Sequence, residues 1–379
     1  MMHKPKLLMV SDTYHPQVDG TVKFIDEFMV RSKDTFDISM LVPAFSVPKK
    51  ESRITYLEVS KIIHPLPTYP SIKFSWKNMR KIARSISTSQ IIFIQGPAIA
   101  SLLSILIGRF YKKKVIFYIH VLPWELFEKS SPSTLSGIGG LLIQKICISL
   151  YNRCHRVIVP YQGLEQQLEY KGLKTKTVVA RLGVDIDLFS PAKEKKEWKK
   201  KLGIDEHKTV LGYVGRISQE KNTLTLLEAF KRLPHRDKCI LLIVGDGARE
   251  QRIPFEQTQN CIITGFVDNV QDYLKAMDIF VMPSLTETTS LATLEAMASG
   301  LPVVATRVGF MKNYITKGYN GIFFPRNSAA LLATKLEKLI KNKEIRVTLG
   351  LNARKTIAYS FSWERSINRI KRILVHELD

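Results

Sequence analysis

The chain reads as an α/β protein of two doubly wound units, each a parallel sheet covered by helices on both faces. Three observations predict this. At roughly 100–200 residues per domain, a chain of 379 residues makes two cores rather than one. Short β-branched runs alternate with longer helical patterns from end to end, as parallel sheets with crossover helices require. The alternation breaks once, after residue 183, and restarts at residue 210.

The first series of strand-like runs lies at 7–10, 38–42, 91–94, 115–119 and 157–159. Residues 183–203 carry Ser190-Pro191 followed by the highly charged 193–201, and this stretch reads as the interdomain connection. A second series follows at 210–214, 240–244, 262–263, 279–282, 303–305 and 322–324. Helical patterns occupy 328–341 and 345–359, and a last one at 363–378 can pack back across the hinge. The expected domains are therefore 1–185 and 186–360, facing each other across a cleft, with a terminal helix at 361–379. In such sheets ligands bind at the carboxyl ends of strands, where strand order reverses.

Composition excludes several classes. Apolar content of 45% and charged content of 24% are those of a globular domain rather than a disordered one. The longest apolar runs, 98–107 and 138–150, fall short of the ~20 residues that span a bilayer, and the first residues lack a signal-peptide core. Cys147, Cys154, Cys239 and Cys261 have neither disulfide-framework nor zinc-ligand spacing, which fits reduced thiols in the cytoplasm. The net charge of +23 draws the protein toward anions without saying which.

The most informative stretch follows the strand at 279–282. Here Pro283-Ser284-Leu285-Thr286-Glu287-Thr288-Thr289-Ser290 leads into Leu291-Ala292-Thr293-Leu294-Glu295-Ala296-Met297-Ala298-Ser299-Gly300. It reads as strand, hydroxyl-rich loop, helix and Gly stop. Thr289 or Ser290 is expected to cap the helix, and the amides of Ser290, Leu291 and Ala292 then cradle a phosphate. Glu287 and Glu295 bracket that cradle, suited to hydrogen-bonding hydroxyls at either end of a ligand. Upstream, Gly215-Arg216-Ile217-Ser218-Gln219-Glu220-Lys221 places two cations after a strand. Fixed cations of this kind stabilise a departing diphosphate best in the transition state.

These residues, with Val244-Gly245-Asp246-Gly247, Gly265-Phe266-Val267 and the spacing Glu287-x7-Glu295, resemble the large GT-B family of retaining glycosyltransferases numbered 4. The resemblance extends to residues 16–20, Tyr118-Ile119-His120 and Leu182-Gly183-Val184-Asp185. It implies that Glu287 holds the donor sugar's hydroxyls and Glu295 the ribose hydroxyls. Backbone amides of Thr288, Thr289, Ser290, Leu291 and Ala292 would contact sugar and phosphate, Arg216 and Lys221 would clamp the diphosphate, and Val267 would lie beside the base. His120 and Gly20 would reach the reaction centre from the first domain. It further implies front-face attack, with the leaving phosphate taking the acceptor's proton, and no metal or other cofactor. The family's Gly-Phe-Gly is here Thr288-Thr289-Ser290, its Gly-Gly is Asp19-Gly20, and its Gly-Gly-x-x-Glu is Gly309-Phe310-x-x-Asn313.

Weaker signals have blander readings. Asp185-Ile186-Asp187 matches a metal-binding Asp-x-Asp but reads better as a turn or cap. Gly137-Ile138-Gly139-Gly140 does not follow a strand, as a dinucleotide fingerprint must. His15 lies near a strand end without an acidic partner at triad-like spacing. The segment 72–86 puts Ile72, Trp76, Met79, Ala83 and Ile86 on one helical face and Lys73, Lys77, Arg80, Lys81 and Arg84 on the other, with no acid. That suits either an interfacial helix on an anionic membrane, supported by Lys112-Lys113-Lys114, or an ordinary helix covering the sheet. The expected partners are a nucleotide-diphosphate sugar of the UDP-glucose or GDP-mannose type and a membrane-associated lipid or polyprenyl-linked acceptor, giving a cytoplasmic enzyme peripheral to the membrane. Alternatives are a soluble sugar or sugar-phosphate acceptor, a nucleotide-sugar epimerase, and a nucleic-acid binder. The last is suggested by charge alone and lacks a recognisable reading motif.

Overall fold

A computed structural model describes residues 4–17, 19–45, 51–60, 72–130 and 136–378. Two compact units emerge: Met1–Leu182 with Trp363–Asp379, and Gly183–Ser362.

The first unit holds seven strands, β1 (Lys6–Val10), β2 (Asp37–Pro43), β3 (Ile54–Leu57), β4 (Ile91–Ile94), β5 (Lys114–Tyr118), β6 (Arg156–Val159) and β7 (Thr177–Val179). All pair parallel in the order β3-β2-β1-β4-β5-β6-β7. The central strand β4, and β1 beyond its exposed Lys6, are buried apolar runs, as a sheet covered on both faces demands. Strands β3 and β7 are absent from the sequence reading. Both are short, partly exposed edges, so neither carries the continuous apolar run that marks the centre.

Strand order reverses between β1 and β4, and there Asp12 is wholly buried. Its carboxylate accepts from the amides of Ala98 (2.7 Å), Ala100 (3.0 Å) and Ser101 (3.3 Å), at the start of the helix Ile99–Phe110. Burial pushes its pKa up while these hydrogen bonds oppose the rise. A carboxylate at a helix start also meets the positive end of the helix dipole.

Residues 72–86 need correction. Ile72 forms an isolated antiparallel bridge with Val59, and the helix runs Trp76–Ser87. Its buried residues are Asn78, Ile82 and Ile86, whereas Trp76 is 80% exposed. Asn78 bonds the backbone of Glu58 and Lys73, so this polar residue belongs to the packed stripe. The apolar face of this helix covers the sheet. The run at 98–107 falls in the helix Ile99–Phe110 and that at 138–150 in Ser136–Tyr151, and among the described residues no helix is long and apolar enough to cross a membrane.

The second unit holds β8 (Thr209–Val214), β9 (Cys239–Val244), β10 (Cys261–Ile263), β11 (Ile279–Met282), β12 (Val303–Thr306) and β13 (Gly321–Phe324). These pair parallel in the order β10-β9-β8-β11-β12-β13. The stretch read as a connection is largely part of this unit. Val184 donates to the Phe361 carbonyl, Phe189 is buried, and Arg354 bonds the carbonyls of Ile186, Phe189 and Ala298 at 2.8 Å each. The helix Lys195–Lys201 lays Lys199 against Asp278 at 2.7 Å, both nearly buried. The chain therefore changes unit at 182/183 rather than 185/186, and returns at 362/363 rather than 360/361. The final helix, Trp363–His376, packs in the first unit, where Trp363 meets Phe24 and Arg156 pairs with Glu377.

Asp12→Ala leaves three buried amides without an acceptor and should destabilise the first unit by about 1–3 kcal/mol. Thermal unfolding checks this; an unchanged melting temperature would contradict the capping role.

Candidate functional site

The site builds on the carboxyl ends of β8, β9 and β11. After β8 and β9 the backbone of one loop lies on that of the other: Gly215 donates to the Val244 carbonyl at 3.0 Å and Ile217 to that of Asp246 at 2.8 Å. Gly245, at φ 142°, is required here, because a Cβ would stand 2.1 Å from the Gly215 oxygen. This contact fixes where Arg216 starts. Its carbonyl accepts from the Tyr213 hydroxyl at 2.8 Å, and burial holds that phenol well above its ordinary pKa and so un-ionised.

Arg216, about one-third exposed, meets Glu220 at 3.2 Å. Lys221 Nζ meets Glu287 Oε1 at 2.7 Å, and the Ser284 hydroxyl donates to the same oxygen at 2.8 Å. Both of these bonds fall on Glu287 Oε1. The turn carrying the cations is tied to the loop after β11 twice more, by Leu285 N to the Glu220 carbonyl (2.9 Å) and Asn222 Nδ2 to the Pro283 carbonyl (3.2 Å). Lys221 lies in that turn, two residues before the helix Thr223–Lys231 begins.

Glu287, Thr288 and Thr289 are held from the far side. Phe310 N donates to the Thr288 carbonyl and Tyr314 Oη to that of Thr289, both at 2.8 Å. Gly309 sits at φ 51°, where a Cβ would meet the Glu287 oxygen at 1.8 Å. The helix then runs Leu291–Ala298 with Ser290 as its N-cap residue at φ 62°. The capping expectation is corrected: Ser290 is in place, yet its hydroxyl pairs with that of Thr293 at 2.8 Å and caps no amide. The first-turn amides, at Leu291 and Ala292, thus carry no side-chain cap. Glu295 is buried within this helix rather than on a solvated face. Val267 is half-buried just past Gly265, which bridges to Gly245.

The structure thus brings together Arg216, Lys221, Glu287, Thr288, Thr289, Ser290, Leu291, Ala292 and Glu295 on the ends of adjacent strands. Sequence reasoning missed Ser284, Glu220, Gly309 and Tyr314, which position this group. Ser284 was legible only as a hydroxyl three residues before Glu287.

His120 and Gly20 belong to the first unit. Gly20 opens the helix Gly20–Ser32, and Asp19 caps it by accepting from Thr21 N (2.8 Å) and Val22 N (3.0 Å). That role accounts for an Asp where the resembling family has Gly. His120 Nε2 lies 2.7 Å from Gln95 Oε1, and its ring stacks on Tyr118. Since Oε1 only accepts, Nε2 carries the proton and Nδ1 is left as an acceptor. Burial pushes the imidazole down to about 3. His15 does have an acidic partner, Asp26 at 3.0 Å, on an exposed face.

Asp185 Oδ1 accepts from Asp187 N and Leu188 N, a turn. Among the described residues no group of three or more His, Cys, Asp or Glu is placed to hold a metal ion. Gly139 and Gly140 lie inside the helix Ser136–Tyr151, where Cβ atoms would collide with Phe127 and Glu128.

Residues 194–356 match the glycosyl transferases group 1, and residues 20–188 match glycosyltransferase family 4. An uncharacterized glycosyltransferase of Methanocaldococcus jannaschii is 27% identical over 397 residues, covering 98% of each chain. The alpha-monoglucosyldiacylglycerol synthase of Streptococcus pneumoniae is 27% identical over 359 residues, which span 89% of this chain and 79% of that protein. The fold superposes on that of HepE from Anabaena, solved in complex with UDP and glucose, with a TM-score of 0.78 at 18% identity over 98% of this chain and 100% of the other.

A neutral imidazole held by burial contributes stability that is fully present above its ordinary value of 6.5 and is lost as pH falls toward about 3. Nitrogen-detected NMR of the native protein should therefore find His120 as the Nε2–H tautomer with no titration between about pH 5 and 8. A midpoint near neutrality would overturn the assignment.

Proposed function

Because this chain belongs to the group 1, family 4 glycosyltransferases of GT-B fold, we propose that it is a retaining, metal-independent hexosyltransferase using a nucleoside-diphosphate sugar. The observation that carries this reading is the joined pair Lys221–Glu287, with Arg216 beside it and the uncapped helix start at Leu291 next in line. A diphosphate seated on those amides meets two fixed cations. As the bond from the sugar's anomeric carbon to the β-phosphate oxygen breaks, that oxygen gains charge, and Arg216 and Lys221 stabilise it. The acceptor hydroxyl attacks the same face of the sugar, forming the new C–O bond, and its proton passes to the departing phosphate. Glu287 Oε2 orients the sugar's hydroxyls, Glu295 serves the ribose, and Val267 flanks the base. The resemblance assigns His120, through Nδ1, and Gly20 a role toward the reacting sugar as well. A neutral imidazole of so low a pKa is a hydrogen-bond acceptor here, not the base.

The acceptor we favour is a lipid or polyprenyl-linked glycan at the cytoplasmic face of a membrane. Support comes from the charge of +23 and from likeness to a protein named for glycolipid synthesis. HepE, seen with UDP and glucose, makes UDP-glucose the first donor to try. In this reading the basic face Lys73, Lys77, Arg80, Lys81 and Arg84 is an electrostatic contact.

Glu287→Ala, Arg216→Ala and Lys221→Ala should each lower kcat by roughly 10²-fold or more while circular dichroism stays native. Near-normal transfer by all three would remove the site assignment. A chelator should leave transfer intact. A true donor should raise the melting temperature of the wild type by mass action, which identifies base and sugar in a panel of UDP- and GDP-sugars.

A further inference from the structure

The helix Ser136–Tyr151 presents an unusual surface. It carries one charged residue, Lys145, and no acid in sixteen positions. It packs against the helix Pro123–Ser130 through Gly139 and Gly140, but leaves Ile138 70%, Leu141 56%, Leu142 60% and Ile146 47% exposed. Residues three and four apart are neighbours on a helix, so Ile138, Leu141, Leu142, Lys145, Ser149 and Asn152 form one stripe along its length. Apolar side chains of this size gathered on one outer face mark a contact surface.

The end of the same stripe is cationic. Lys145, Ile148, Ser149, Asn152, Arg153 and Lys171 line an open depression of ≈ 560 Å³. Three of the six are basic and none is acidic. Two of the cations are held in place: Arg153 Nη1 bonds the Ser149 carbonyl and hydroxyl at 2.9 and 2.8 Å, and Lys171 Nζ bonds Gln144 and lies 5.8 Å from the Trp124 ring centre. Ile138 and Lys145 are about 10 Å apart along the axis at 1.5 Å per residue. One surface thus offers aliphatic side chains and, about two turns on, a depression for an anionic oxygen group.

We propose that this stripe is a docking surface for an anionic phospholipid bilayer. Ile138, Leu141, Leu142 and Ile146 enter the boundary between headgroups and acyl chains, and Lys145, Arg153 and Lys171 take a lipid phosphate. The helix lies along the surface with its exposed aliphatic side chains toward the lipid and Cys147, Ile148 and Tyr151 packed on the protein side. The apolar side of Trp76–Ser87 does not do this, because Ile82 and Ile86 are spent against the sheet. The proposal deepens the lipid-acceptor reading and locates the contact on a different helix from the one the sequence favoured.

Flotation of the full chain with vesicles of phosphatidylcholine, alone or with phosphatidylglycerol, tests it. The wild type should float with the anionic vesicles and remain behind with neutral ones at modest salt. Leu141→Gln/Leu142→Gln and Lys145→Ala/Arg153→Ala/Lys171→Ala should each reduce the bound fraction on the order of tenfold or more. The positions are exposed or half-exposed, and the donor-induced melting shift should be unchanged in both variants, which reports separately on the sugar-transfer reading. Wild-type flotation by both variants would overturn the proposal. So would loss confined to Lys77→Ala/Arg80→Ala/Arg84→Ala, or binding of inorganic phosphate by a protein that ignores anionic vesicles.

Discussion

The strand-end site of the second unit depends on one ion pair, Lys221 with Glu287. It links the loops that leave β8 and β11, neighbours in space but separated in sequence by the two strands β9 and β10. Strand order reverses there, so the two chains diverge and leave a crevice. Without the pair, and without Ser284 and the Leu285–Glu220 backbone bond beside it, the cations and the Glu287 carboxylate would be set independently. With it, each locates the other before any ligand arrives, which is what transition-state stabilisation by fixed charge demands.

The pair also answers an electrostatic requirement. Lys221 is about one-fifth exposed and Glu287 less than one-tenth, and a charge so placed is costly unless it is paired. Glu220 does the same for the more exposed Arg216. Each cation of the site is thus paired with its own carboxylate. The first unit solves an analogous problem at its own reversal, between β1 and β4. There Asp12 joins the end of one strand to the helix after the other. Among the described residues no cation answers Asp12. Three amides do, so that crevice is closed by hydrogen bonds rather than armed with charge.

Much of this was legible in the sequence because it rests on local pattern. The central strands are continuous apolar runs, and the helix Leu291–Ala298 is announced by its strand, its hydroxyl-rich loop and its Gly stop. What escaped is set by contacts far apart in the chain. Strands β3 and β7 exist because a neighbour offers its edge. Gly309 matters because Glu287 lies 22 residues away yet in touch. Ser290 is a natural cap by type, but its left-handed backbone turns the hydroxyl to Thr293 instead. The charged run before β8 looks like a linker, and only the buried partner of Lys199, Asp278, reveals it as part of a packed domain.

The two amphipathic helices of the first unit show where periodicity runs out. A stripe of apolar residues with a basic opposite face says that one side of a helix is covered, without naming what covers it. In Trp76–Ser87 the cover is the sheet, with Asn78 recruited into the buried stripe by backbone groups no sequence pattern displays. In Ser136–Tyr151 the hydrophobic run is too uniform to show a stripe, and its sequence says only that it is too short to span a bilayer. Only when Gly139 and Gly140 are seen pressed against Phe127 and Glu128 does it become clear that one side is satisfied by close packing, and that the larger aliphatic side chains are left outward. Gly139, Gly140, Cys147, Ile148 and Tyr151 seat this helix, while Ile138, Leu141, Leu142 and Ile146 stay outward. The proposed lipid cover would account for those outward aliphatic side chains and for the cations that end the stripe.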